Sequence, residues 1–227
     1  MPLVLAVANL KGGVGKSTLA LNMATTLHHA KRRTLLVDTD GQGTCRTWAA
    51  VASDAEQDGP PVVAVDGRSL RRDLERVSAG FDVVILDTSP RLGAEVRAAM
   101  LVADLVLLPV VPGAADVWAL RETVAVLDEA RGLRPEIQMG VVLNRASRTT
   151  LTGVTRSALE ELKVPVLGAL GDRVAFGDAT AKGLGVVTYA PGSKAAAEIE
   201  ELVGAVLKAV QGESEGKKRW RGKKKTS

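Results

Sequence analysis

No stretch of the chain is more constraining than Lys11-Gly12-Gly13-Val14-Gly15-Lys16-Ser17-Thr18. An apolar run from Leu3 to Ala8 precedes it and reads as a buried strand. Beyond it, Leu19, Ala20, Met23, Ala24 and Leu27 recur at helical spacing. Strand, glycine loop, helix is the order in which a backbone can wrap a phosphate group. Gly12, Gly13 and Gly15 let N–H groups turn inward, and a helix starting near Lys16 adds the partial positive charge of its N-terminus. Lys16 can then reach β- and γ-phosphates, and the Ser17 hydroxyl can hold Mg²⁺.

Similar units follow. Apolar runs at Arg33 to Asp38, Val62 to Val65, Phe81 to Asp87, Asp104 to Pro109, Ile137 to Leu143 and Val164 to Leu170 alternate with helical patterns. The helical patterns fall at Thr44 to Ala52, Ser69 to Val77, after Thr88-Ser89-Pro90 to about Val102, Val117 to Ala130, Thr150 to Leu162, Phe176 to Lys182 and Ala195 to Val210. Val186-Val187 opens a last extended piece. Such alternation predicts an α/β fold: a mostly parallel, twisted sheet with helices on both faces and right-handed crossovers. Ligands of these sheets bind beyond the carboxyl ends of the strands. Asp38, Asp40, Asp87 and Asn144 therefore share one rim with the glycine loop.

Each acid has a chemical reason to be there. Asp87 ends four consecutive apolar residues and would hold Mg²⁺ through water, since this ion keeps much of its hydration shell. Asp38 and Asp40 stand two apart, so both carboxylates can face the same side. One can take the metal's water shell while the other orients an attacking water. The residues alone leave their order open, and a solvated turn is the plain alternative.

These segments resemble the ParA/MinD family of P-loop ATPases, whose loop carries a second lysine at its head, as Lys11 does here. The strict loop pattern is not met, because Leu10 occupies the place of its first glycine. The likeness extends from Asn9 to Thr18, Leu36 to Gln42, Phe81 to Asp87, Leu108 to Val111, Leu143 to Arg145 and Ala190 to Ala195. Departures are Gly41, where the family usually has proline, which loosens that loop, and Thr88-Ser89-Pro90 in place of a double proline.

The resemblance implies a P-loop NTPase fold and ATP with Mg²⁺ as ligands. It implies catalytic roles for Lys11, Lys16 and Asp40, with Asp40 activating water, and metal roles for Ser17, Asp38 and Asp87. The segment Lys11, Gly12, Gly13, Val14, Gly15, Lys16, Ser17 and Thr18 would bind the nucleotide, and Asn144 would contact adenine. It further implies an ATP-dependent homodimer in which Lys11 crosses to the partner's phosphates. That dimer binds nucleoid DNA without sequence preference, and a ParB-like or other adaptor stimulates hydrolysis. The cargo would be plasmid or chromosomal DNA or another body. A MinD-like membrane-associated regulator and a metabolic P-loop phosphotransfer enzyme are the alternatives. Stable membrane association is not expected, because the basic C-terminal run has one aromatic residue, Trp220, among its cations.

Composition narrows the setting. The chain of 227 residues has 46% apolar residues, enough for one substantial core. Its single cysteine, Cys45, allows no internal disulfide and no C-x-x-C metal pair, so a cytoplasmic protein is expected; that it is nucleoid-associated is what the resemblance implies. Cys45 is expected to be a partly buried small side chain, Trp48 and Trp118 packing residues, and Arg173 a surface residue. His28 and His29 should complement the dipole at the end of the first helix.

Charge is concentrated at the end. Residues 1–211 read as one P-loop ATPase domain, while 212–227 carry seven basic residues against two acids and are expected to be disordered. This tail is +5 and the remainder −1. A cationic run of this kind suits an electrostatic grip on DNA phosphates. If about four cations engage, deleting Gly212 to Ser227 is expected to flatten the log–log salt dependence of non-specific duplex binding by roughly 3 to 4 units. A salt titration of full-length and truncated protein, each with ATP, checks this; equal slopes would move DNA binding to the folded surface.

Overall fold

The computed structural model describes residues 1–90, 93–146 and 153–223; for residues 114, 153, 154, 156 and 212–223 it describes the backbone alone. The strands are β1 (Leu3–Val7), β2 (Thr34–Asp38), β3 (Val62–Ala64), β4 (Val83–Asp87), β5 (Leu105–Val110), β6 (Gln138–Ala146) and β7 (Val166–Gly171). The helices are α1 (Lys16–His29), α2 (Thr44–Asp54), α3 (Leu70–Val77), α4 (Ala94–Val102), α5 (Ala114–Leu133), α6 (Gly153–Leu162), α7 (Val174–Ala181), α8 (Val186–Tyr189) and α9 (Lys194–Lys223).

The strands form one sheet in the order β3-β2-β4-β1-β5-β6-β7, and every pairing is parallel. Alternation along the central strands explains why both faces are covered. Val4, Ala6, Val84, Leu86, Val106 and Leu108 face one core, with α3, α4, α5 and α6. Leu5, Val7, Val83, Ile85, Leu105 and Leu107 face the other, with α1, α2, α7, α8 and α9. A strand buried on both faces has no polar positions to spare, which is why these runs are continuously apolar. Each fully buried leucine or isoleucine contributes roughly 1.5–3 kcal/mol relative to exposure.

Central placement of β1 is what locates the chemistry. It lies between β4 and β5, so the glycine loop leaves the middle of the sheet. In register, Val7 stands beside Asp87, and Asp87 beside Asp38. Three loops thus converge on one rim.

Two stretches differ from the sequence expectation. Val186-Val187 begins the short helix α8, not an extended piece. The segment lies on α1 with no strand edge to pair with. Its backbone groups bond within one helical turn, Tyr189 N–H to Gly185 O and Ala190 N–H to Val186 O. Helix α9 does not end at Val210 but keeps a helical backbone to Lys223, through most of the segment expected to be disordered. Ile199, Leu202, Val203 and Val206 anchor its first half in the core. Propagation beyond an anchored helix is cheap, and Lys, Arg and Glu are good helix formers. Lys224 and Lys225 of the basic run lie outside the described residues.

Asn22 ties the loop helix to α8. Its side chain is buried, donates to Thr18 O at 2.8 Å and accepts from Val186 N–H at 2.8 Å. Asn22→Ala leaves that N–H buried without a partner and is expected to cost about 1–3 kcal/mol. Chemical denaturation checks this; an unchanged midpoint would show that water replaces the amide.

Candidate active site

The glycine loop is held in shape from outside. Asn9 is fully buried; its Nδ2 donates to Pro109 O at 2.8 Å and its Oδ1 accepts from Lys11 N–H at 2.9 Å. Leu10 N–H donates to Thr123 Oγ1 of α5 at 3.2 Å. On the far side, Asn144 Nδ2 donates to Val14 O at 2.8 Å, while its Oδ1 accepts from Arg145 N–H. Gly15 has φ 90°, and a Cβ there would lie 2.2 Å from Asn144 Nδ2. Only glycine satisfies both the backbone angle and this close approach.

The two lysines of the loop have separate environments. Lys16 is buried and its Nζ donates back to Lys11 O at 3.0 Å, inside the loop. Burial lowers its pKa, and Asp87 and Asp40 pull the other way. Lys11 points outward, and its Nζ pairs with Asp116 Oδ1 at 2.9 Å, with side chains 37% and 12% exposed. Lys11 is thus half-exposed, while Asp116 is largely buried.

The acids are distinguished by their donors. Both oxygens of Asp38 are occupied: Oδ1 accepts from Asp40 N–H at 3.0 Å and Oδ2 from Arg46 N–H at 3.1 Å. Asp38 therefore braces the loop that follows it. Asp40 Oδ1 accepts from Gln42 N–H at 3.0 Å in a local turn, and Arg46 reaches the carbonyls of Asp40 and Gly41. The loop with Gly41 in place of proline is thus tied down by an arginine. Asp87 is fully buried; Oδ2 accepts from Cys45 Sγ at 3.2 Å, and Oδ1 has no partner. Burial pushes its pKa up to about 6, against the stabilising Ser17 and Cys45 side chains; Asp38 adds to the rise and Lys16 opposes it.

An orphaned buried carboxylate oxygen next to Ser17 and Lys16 fits a hydrated Mg²⁺. Among the described residues no group of three or more His, Cys, Asp or Glu side chains converges on a metal position. That too suits Mg²⁺, which takes few protein ligands and completes its shell with water and phosphate. Beside the loop lies a cavity of about 400 Å³, lined among others by Gly15, Asn144, Leu170, Arg173, Phe176 and Asp178.

Several functional neighbours escaped sequence reasoning. Cys45 is wholly rather than partly buried, in the apolar core and against Asp87, and burial beside carboxylates pushes its thiol pKa up. Asp116, Thr123 and Arg46 gave no signal, because their partners are distant in sequence or belong to the backbone. Trp118, expected to pack, is 66% exposed on α5. Trp48 packs as expected, with Nε1 donating to Leu184 O. Arg173 lies on the cavity wall, paired with Glu198 at 2.7 Å. His28 Nε2 lies 3.1 Å from Asp58 Oδ1.

A parallel sheet with a lysine-bearing phosphate loop at the end of its central strand defines a P-loop nucleotide-binding protein. Residues 5–186 match the CobQ/CobB/MinD/ParA nucleotide binding domain, and the chain belongs to that family. It is 32% identical over 207 residues to the maintenance of carboxysome distribution protein A of Halothiobacillus neapolitanus, covering 89% of this chain and 95% of that protein. It is 29% identical over 213 residues to the chromosome partitioning protein ParA of Caulobacter vibrioides, covering 75% and 78%. The septum site-determining protein MinD of Pyrococcus horikoshii, solved with Mg-ADP, has the same fold at a TM-score of 0.73 and 21% identity, over 91% of this chain and 96% of that one.

Gly15→Ala forces a side chain into a left-handed backbone and against Asn144, a strain of about 1–2 kcal/mol or more. Nucleotide affinity measured by calorimetry is expected to fall at least about tenfold, since ~1.4 kcal/mol is one decade. Undiminished affinity would separate the loop from the nucleotide.

Proposed function

We propose that this chain is a ParA-type positioning ATPase, which dimerises on ATP, grips DNA without sequence preference, and is reset by adaptor-stimulated hydrolysis. The observation that carries the reading is the division between the loop lysines, one buried inside the loop and one half-exposed outside it, paired with Asp116. A loop that served only to bind phosphate has no use for a second, outward cation at its head.

The residues divide the work as follows. N–H groups from Gly12 to Thr18 and the α1 N-terminus take the phosphates, and Lys16 exchanges Lys11 O for a phosphate oxygen. The base occupies the cavity beside Asn144, whose remaining amide hydrogen and lone pair are available to a base edge. Ser17 and Asp87 Oδ1 would hold Mg²⁺, which when bound neutralises phosphate charge during transfer. Asp38 stiffens the turn that carries Asp40, and Asp40 orients the attacking water. Lys11 leaves Asp116 for the partner subunit's nucleotide, where an ammonium supplied in trans stabilises charge as a trans arginine does in other P-loop enzymes. A carboxysome-distributing relative and a chromosome-partitioning one support a cargo-positioning role, with a carboxysome-type body or DNA as the cargo.

Light scattering and phosphate release with Mg-ATP test the division. Lys16→Ala is expected to lose ATP binding. Lys11→Ala is expected to bind ATP and remain monomeric, and Asp40→Ala to dimerise, hydrolyse poorly and accumulate as dimer. A Lys11→Ala protein that dimerises and turns over normally would refute the trans role.

A further inference from the structure

Cys45 stands in the first turn of α2, and its neighbour Arg46 contributes a backbone N–H to Asp38 from the same turn. The turn therefore delivers two donors to two buried acids that lie side by side in the sheet. A buried cysteine ordinarily behaves as a small hydrophobe. This one spends its S–H on a carboxylate oxygen 3.2 Å away.

The consequence concerns the other oxygen. Asp87 has two chemically equivalent oxygens, so a donor on either one fixes the plane of the carboxylate about its Cβ–Cγ bond and thereby the direction in which the other points. Thr39 Oγ1 and Thr39 N–H bond the Asp87 carbonyl, fixing the backbone but not the carboxylate. The thiol engages Oδ2 and leaves Oδ1 as the oxygen without a partner.

We propose that Cys45 is a positioning residue for the cation site: its S–H holds Asp87 Oδ2 so that Oδ1 stays available to hydrated Mg²⁺. This rests on the Mg-ATP reading given above. Without the thiol the buried carboxylate keeps only the Ser17 side chain to orient it, and partners of metal-facing groups typically matter by 10–100-fold in metal affinity.

The test uses the full chain and a fluorescent ATP analogue, titrated at increasing Mg²⁺ and in EDTA. Wild type is compared with Cys45→Ser, which keeps a donor, and with Cys45→Ala and Cys45→Val, which remove it; valine refills the volume should alanine not fold, and melting temperatures monitor the fold. The donor-less variants are expected to need about tenfold more Mg²⁺ for half-maximal effect, with EDTA affinity unchanged and serine close to wild type. An unaltered Mg²⁺ requirement, a serine variant as poor as alanine, or parallel losses with and without Mg²⁺ would each reduce Cys45 to packing. A variant-free measure is the infrared S–H stretch, a single band because the chain has one cysteine. It is expected to shift when Mg²⁺ joins the bound nucleotide, and a fixed band would overturn the proposal. Wild-type binding indifferent to Mg²⁺ would instead overturn the Mg-ATP reading itself.

Discussion

Two carboxylates buried side by side set the terms for the whole rim. Asp38 and Asp87 end neighbouring strands in register, and both are almost wholly removed from solvent. Removing a charge from water costs several kcal/mol unless donors or cations replace the lost hydration. The fold supplies them unequally. Asp38 has backbone donors for both oxygens, and each hydrogen bond to a charged group is worth roughly 1.5–3 kcal/mol. Asp87 has only the Ser17 and Cys45 side chains as donors to set against its burial, and burial raises its pKa to about 6. The cation of the proposed function would offset that deficit.

The phosphate loop is complementary to this. It presents N–H groups and a buried ammonium, in a shape held by hydrogen bonds from the surrounding fold. Asn9 ties it to Pro109 O of β5, and Thr123 of α5 and Asn144 of β6 hold it directly, so its conformation does not depend on its own weak glycine-rich sequence. Such ordering matters because each glycine fixed at the moment of binding would subtract its conformational entropy from affinity.

Helix α5 touches both lysine-bearing and apolar parts of the loop's head. Thr123 holds Leu10 N–H, Asp116 holds the Lys11 ammonium, and Trp118 stands exposed two residues beyond Asp116. One rigid helix thereby carries a loop contact, an ion pair and an exposed aromatic side chain. Aromatic residues of this kind are favoured at interface centres.

Local pattern alone determined the seven strands, the parallel α/β class, the loop and the acids that share its rim. Continuous apolar runs require cover on both faces, and glycines at that spacing require a ligand or a turn, so period and composition were enough. Helix α8 was misjudged, because two valines carry strand propensity and only the tertiary placement on α1 denied them a strand edge. The reach of α9 to Lys223 was missed for a related reason: composition speaks to burial, not to helix propagated from an anchored half. Division of labour among the acids was decided by tertiary structure. Asp38, Asp40 and Asp87 look alike in sequence; what separates them is who donates to each oxygen, and those donors come from Arg46, Gln42 and Cys45 through the packing of α2 and its loop. A hydrogen bond depends on distance and angle at the scale of tenths of an ångström. That precision is set by how helices seat on the sheet, and no spacing along the chain encodes it.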